Sequence, residues 1–140
     1  MIRTHTPQDL DKLMTIWLNG NFDGHGFIPA DYWRQNAPMV RMMMREAQVY
    51  LWEEKGEPVG FIGLFDGHIS GIFVNANMRG RGIGKALLDY AKQRHGHLEL
   101  EVYDKNTAAH RLYLREGFRE TGVFVEQATG ESSKRMEWNR

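Results

Sequence analysis

Six consecutive residues near the middle of the chain, Arg79-Gly80-Arg81-Gly82-Ile83-Gly84, carry three glycines and two arginines. So bare a stretch suits neither a helix interior nor a strand interior, where each glycine costs backbone entropy. Its surroundings are regular. Ile72-Phe73-Val74 ends a β-branched and aromatic run, Ile83, Leu87, Leu88 and Ala91 recur at helical spacing, and Leu98-Glu99-Leu100-Glu101-Val102 alternates as a strand. The glycines thus form the turn of a strand, loop, helix, strand unit. At the amino end of that helix, unsatisfied N–H groups and the dipole favour an anion. Glycine at 80, 82 and 84 removes side chains that would hold a phosphate away from those N–H groups, and Arg79, Arg81 and Lys85 add positive charge. Such a turn serves either a phosphate-bearing ligand or a plain connector with solvated basic residues.

The rest of the chain builds one domain around that unit. Its 140 residues suit a single core, and no repeat, linker or low-complexity segment divides residues 1–140. Thr6-Pro7-Gln8-Asp9 reads as a helix start, Leu10, Leu13, Met14, Trp17 and Leu18 as its apolar stripe, and Asn19-Gly20 as its stop. Residues 29–46 are helical in pattern, with Pro38 expected to break or kink them into two pieces. Met39, Met42, Met43 and Met44 are expected to fill core. Strands are expected at 49–53, 59–65 and 68–74, joined by turns that include the hairpin pair Asp66-Gly67. After the central helix, which ends near His95-Gly96, come strand 98–102, a helix over 107–115 stopped by Gly117, and strands over 118–126 and 134–138.

Composition removes several function classes. Lys plus Arg and Asp plus Glu are 18 each, so no overall field draws the protein to nucleic acid or an anionic membrane. The lack of cysteine excludes disulfides, thiolate metal sites and a cysteine nucleophile, and suits a reducing compartment. Without a signal peptide or an apolar stretch able to span a bilayer, a soluble cytoplasmic protein is expected. His95-Gly96-His97 offers two metal ligands without a clear third partner, so no metal is expected.

Two familiar phosphate loops fail on spacing. A P-loop would need a glycine where Arg79 stands and Ser or Thr where Ala86 stands; a dinucleotide fingerprint begun at Gly80 or Gly82 meets Lys85 or Leu87 at its third glycine. The pattern that does fit is [Q/R]-x-x-G-x-[G/A], as Arg79-x-x-Gly82-x-Gly84, followed downstream by N-x-x-A-x-x-x-Y-x-x-x-G-F as Asn106, Ala109, Tyr113 and Gly117-Phe118. In this order and spacing the two motifs resemble the acyl-CoA loop and the second motif of the GNAT superfamily of N-acetyltransferases, and the element order is similar over essentially the whole chain.

The resemblance implies an α/β fold with a central, mostly antiparallel sheet, splayed at its fourth and fifth strands and flanked by helices. It implies acetyl-CoA as cofactor, its pyrophosphate on the N–H groups of Arg79, Gly80, Arg81, Gly82, Ile83, Gly84 and Lys85, and its pantetheine arm along Ile72, Phe73 and Val74. A backbone N–H near Val74 could stabilise an oxyanion. Asn106 and Ala109 would meet the same arm, with Asn106 also a natural helix N-cap. Tyr113 stands where the family often places its general acid; a phenol stays protonated at neutral pH, and the plainer reading is a packed aromatic. The base is open, because the strand His68-Ile69-Ser70-Gly71-Ile72-Phe73-Val74 lacks the glutamate many members carry there. Glu101, with Glu99 on the same strand face, is the first candidate if burial raises its pKa; His25 and His68 are alternatives, and all have structural readings.

By fold position, the amine acceptor would meet the segment of Phe22, His25, Phe27 and Tyr32, with Trp33 beside it, whose aromatics could equally cap the core. Members of the family acetylate protein amino groups and small-molecule amines. A noncatalytic acyl-CoA-binding module and a tRNA-directed acetyltransferase are the other readings, the latter short of basic surface. Aromatics near the closing strands, including Phe124 and Trp138, permit a homodimer.

Overall fold

A computed structural model describes residues 1–140. The elements run β1 (Ile2–Thr4), a 3-10 turn (Pro7–Asp9), α1 (Leu10–Gly24), α2 (Ala30–Glu46), β2 (Gln48–Glu54), β3 (Glu57–Phe65), β4 (His68–Val74), a second 3-10 turn (Ala76–Met78), α3 (Ile83–Arg94), β5 (His97–Tyr103), α4 (Thr107–Arg115), β6 (Arg119–Val125) and β7 (Ser132–Asn139). The seven strands form one mixed sheet in the order β1-β2-β3-β4-β5-β7-β6. Every neighbouring pair is antiparallel except β4 and β5. Sharp turns sit where the sequence marks them, with Asp66 and Gly67 both at positive φ in the β3–β4 hairpin.

The alternation of each strand splits the core in two. One cluster holds Leu87, Leu88 and Ala91 of α3, Tyr113 of α4 and inward residues of β5 such as Leu98 and Leu100. The other holds Leu13, Ile16 and Trp17 of α1, Trp33 and Met44 of α2, and Val49, Leu51 and Phe61. Residues such as Leu13, Leu87 and Leu98 are fully buried, and truncating one to alanine costs about 2–5 kcal/mol.

Three local expectations are corrected. Helix α1 does not stop at Asn19-Gly20 but continues to Gly24. The glycine answers a neighbour: a Cβ at 20 would lie 2.6 Å from Cδ1 of Phe73, so a bare helix face lets the Phe73 ring against it. Pro38 does not divide α2, which runs unbroken to Glu46 with the proline exposed inside it. The methionines are not all core: Met44 is buried, while Met39, Met42 and Met43 are 56%, 68% and 47% exposed.

What positions the site is the parting of β4 from β5. Their parallel pairing has two steps, His68↔Glu99 and Ile69↔Leu100, whereas β4 pairs with β3 along its whole length. Beyond Ile69 one edge of a central strand is left without a neighbour, and residues 71–74 are half-exposed in consequence. Helix α3 leaves the end of β4 through the glycine turn, and α4 follows β5, so both helices border the gap.

Candidate active site

A cleft of about 870 Å³ opens where β4 and β5 separate. Ile72, Phe73 and Val74 supply its strand edge; Arg79 and Gly84 stand at one end; Asn106, Ala109 and Tyr113 of the α4 segment face it; His25, Tyr32 and Trp33 close the other side. Glu101, His68 and Tyr103 line the cleft at the β4–β5 fork. The structure thus brings both motifs, distant in sequence, onto one cavity.

At the glycine turn, Gly80 and Gly82 have φ of +77° and +78°, the left-handed region that glycine enters without strain, and no protein atom lies within 4 Å of where their side chains would be. Gly82 caps α3, whose first turn bond runs from the Ala86 N–H to the Gly82 carbonyl at 3.0 Å, leaving the N–H groups ahead of it for an anion. The basic residues divide their labour. Arg79 donates from Nε to the Val74 carbonyl at 3.1 Å and from Nη2 to Asp23 at 3.3 Å, tying the turn to β4 and α1. Lys85 is engaged with Asp89 at 2.8 Å and Glu116 at 3.2 Å, so its charge is largely answered within the protein. Arg81 is exposed and takes part in no ion pair. Ile83 is buried in the core and can offer a ligand only its backbone. Gly80, Arg81, Gly82, Ile83 and Lys85 lie beyond the cleft lining, around its outer end.

At the opposite wall, Asn106 is the N-cap of α4, its Oδ1 accepting from the Ala109 N–H at 3.3 Å. That fixes Nδ2 as the donor to His25 Nε2, at 2.9 Å. His25 must then carry its proton on Nδ1, which donates to Asn21 Oδ1 at 2.8 Å, and Asn21 Nδ2 donates to the Trp17 carbonyl at 3.0 Å. Every member of this relay has one consistent role. Burial lowers the His25 pKa to about 4, so the ring is neutral at physiological pH. It is also walled in, stacked on Trp33 at 5.4 Å and edge-on to Tyr103 at 4.9 Å. His25 is therefore a structural link and not a base in this state.

Tyr113 is 6% exposed, lies against Phe118 at 5.6 Å between centroids, and has its pKa raised to about 12 by burial. The phenol is therefore neutral at physiological pH. The burial expected of Glu101 is not found: its side chain is 47% exposed, with His68 Nε2 at 3.5 Å. Glu99 points its charge toward His97 instead. Of the four aromatic-segment residues, His25 and Tyr32 reach the cleft. Phe22 does not; it lies under the Arg34 guanidinium at 5.1 Å. Phe27 packs edge-on against His25 and Tyr103 at 5.7 and 5.6 Å, behind the wall.

Sequence reasoning missed one residue of that wall. Glu126, just past β6, lines the cleft and accepts from the Tyr103 hydroxyl at 2.7 Å, and nothing in the local pattern marks it. Trp33, which belongs to the expected aromatic segment, has a buried Nε1 with no hydrogen-bond partner. His95 and His97 do not converge; His97 instead shares a surface cluster with Glu99 and Glu137 outside the cleft. Phe124 and Trp138 are half-buried under Arg135 and Lys92, and the exposed apolar residues of β6 are Val123 and Val125.

Residues 10–118 match the family described as acetyltransferase (GNAT). Among curated proteins, the peptidyl-lysine N-acetyltransferase YiaC of Escherichia coli is 42% identical over 120 residues, 84% of this chain and 82% of that protein. The solution structure of apo YjaB from Escherichia coli superposes with a TM-score of 0.86 at 26% identity, covering 99% of this chain and 96% of that one. YjaB is itself described as a peptidyl-lysine N-acetyltransferase and is 30% identical over 122 residues, 86% of this chain and 83% of YjaB.

Proposed function

Since the chain belongs to the acetyltransferase (GNAT) family, and so is an N-acetyltransferase that draws its acetyl group from acetyl-CoA, we propose that its acceptor is the side-chain amine of lysine in proteins. The observation that carries this reading is the open edge of β4, flanked by the glycine turn at one end and faced by Tyr113. The relatives named for peptidyl-lysine supply the acceptor class.

The residues present fit acetyl-CoA. The empty left-handed positions of Gly80 and Gly82 and the N–H groups at the start of α3 suit a pyrophosphate, with Arg81 free to approach it. Ile72, Phe73 and Val74 offer backbone to an amide chain in the manner of strand addition, with Asn106 and Ala109 opposite. When bound, acetyl-CoA supplies a thioester carbonyl open to attack by a neutral amine and a thiolate that must be protonated on leaving. Tyr113 holds the proton for that sulfur, and the backbone at Val74 provides a donor for the carbonyl oxygen. Glu101, solvated beside His68, accepts the proton lost by the amine, through water.

The test is turnover with an N-terminally blocked lysine peptide, read by thiol release and by mass. Tyr113→Phe should lower kcat about 100-fold and leave acetyl-CoA affinity within about twofold, as loss of a general acid requires. A rate within twofold of wild type removes Tyr113 from the chemistry. We place the enzyme in the cytoplasm, which suits a chain without cysteine; no helix is long and apolar enough to cross a membrane. Pairing of two copies, if it occurs in solution, is assigned to the β6 edge with Val123 and Val125, 75% and 60% exposed, and sedimentation of a Val123→Lys variant checks it.

A further inference from the structure

Glu126 belongs to neither motif, yet its carboxylate lines the cleft together with Tyr32 and Tyr103. One oxygen is fully used: Oε1 accepts from the Tyr103 hydroxyl at 2.7 Å and from the Thr129 hydroxyl at 3.0 Å. The other oxygen accepts no hydrogen bond, and Glu126 forms no ion pair. Lys105 and Lys134, from adjoining segments, are committed to Glu131 at 2.9 Å and Asp104 at 2.8 Å. A half-buried carboxylate anchored through one oxygen and open at the other lacks the counter-ion that its position calls for.

Its surroundings suit a cation. Tyr103 and His25 meet at 4.9 Å, as do Tyr32 and Trp33, giving an aromatic wall whose π-faces attract ammonium groups. After burial, the Glu126 charge is the next cause that keeps the Tyr32 phenol protonated, so its field reaches across the wall. Trp33, 8% exposed in the same wall, has an indole N–H without an acceptor.

We propose that the free oxygen of Glu126 receives the protonated amine of the acceptor beside Tyr32 and Tyr103. The ligand class is a primary ammonium on a flexible chain. This deepens, and rests on, the amine-acceptor reading above. Glu126 selects and holds the acceptor; the chemical step remains with the residues already named.

The probe is n-butylamine at neutral pH, which is the lysine side chain cut free, followed by chemical-shift perturbation, with n-butanol as the uncharged control. Wild type should bind the amine and Glu126→Gln should bind it at least 10-fold more weakly. Acetyl-CoA affinity and the thermal midpoint should be unchanged, because glutamine still offers an oxygen to Tyr103 and Thr129. With the blocked lysine peptide, Glu126→Gln should raise KM at least 10-fold with little change in kcat. Equal amine binding by the two proteins, or none by wild type, overturns the proposal. Peptide turnover by Glu126→Gln equal to wild type also overturns it while leaving the lysine reading intact. Amine binding that depends on Glu126, with no acetylation of the peptide by wild type, keeps the ammonium site and removes the protein-lysine reading.

Discussion

His25 shows how one side chain can join two elements through its protonation state. Its Nε2 accepts from Asn106 and its Nδ1 donates to Asn21, so a second proton on the ring would break the relay between α1 and the N-cap of α4. Burial lowers its pKa from 6.5 to about 4, so between those values the unfolded chain binds a proton that the folded protein refuses. Stability from this group is therefore whole above about pH 6.5 and declines as pH falls toward 4. Asp9 acts in a separate window: the Arg3 guanidinium, at 2.8 Å, lowers its pKa from 3.8 to about 2, and that contribution is lost as pH falls through this lower range. His97, raised by Asn139 first, has the opposite sign, losing its contribution as pH rises above 6.5. Urea midpoints across pH 4–6.5 should thus fall with acid in wild type and flatten in His25→Gln; parallel slopes would remove His25 as the cause. Tyr113, raised to about 12, should give the rate no descending limb at alkaline pH below about 11, a profile that a titration of kcat checks. Asn106 and Tyr113 were legible in the sequence because a short spacing on one helix carries them. Glu126 was not, because its meaning lies in contacts with Tyr103 and the α2 segment, far from it in the chain.

At the scale of elements, the glycines separate into those set by backbone conformation with open space around them and those set by packing. Gly82 sits at +78° with open space around it, so alanine there costs about 1 kcal/mol of backbone strain with no steric clash. Gly84 is helical, and an alanine Cβ would make ordinary contact with Leu112 at 3.8 Å and Ile72 at 4.0 Å, so Gly84→Ala should not destabilise the fold. Glutamate at either position brings bulk and negative charge to the anion site, and calorimetry should find acetyl-CoA binding abolished in a folded protein. Retained affinity would remove the turn from the cofactor's path. Gly20 is of the second kind. Alanine in the middle of a helix is usually favourable by about 0.5–1 kcal/mol, but here its Cβ meets Phe73 at 2.6 Å, and overpacking of about 1–3 kcal/mol prevails. Gly20→Ala should destabilise, and less so when combined with Phe73→Leu; additive effects in that double-mutant cycle would exclude the clash. The misread end of α1 follows from this: a local pattern interprets glycine as a stop, and the ring that requires it comes from β4. The helix and strand spans after residue 47 were legible because periodicity and turn pairs agree there. The continuity of α2 through Pro38 was not, since its neighbours hold a helix that the local rule would end.

At the scale of the whole molecule, the sheet is two packed halves held together weakly by their own backbone. Strands β1 to β4 form one half and β5, β7 and β6 the other, and only His68↔Glu99 and Ile69↔Leu100 join them as strand partners. Topology of this kind reached the sequence analysis only through the resemblance, because no local pattern says that two strands should pair at one end and part at the other. The parting has a thermodynamic consequence. Apart from the Val74 carbonyl, which accepts from Arg79, the backbone groups of residues 70–74 that face the open edge are unpaired across the gap and depend on solvent or on a ligand for their hydrogen bonds. A ligand that lies along this edge supplies partners to one half while its anionic end engages α3 and its other face meets α4, which packs on β5. It should therefore couple the halves and raise global stability, beyond ordering a loop. At a concentration 100 times its Kd, acetyl-CoA should add about 2.7 kcal/mol, or roughly 10 °C in Tm for a chain of this size. In hydrogen exchange, amides of residues 70–74 and of the start of α3 should gain protection together, and those of β6 should follow to the extent that the halves unfold as one. Protection confined to the glycine turn, or an equal stabilisation by NAD, would mean that the open edge of β4 is not where the cofactor lies.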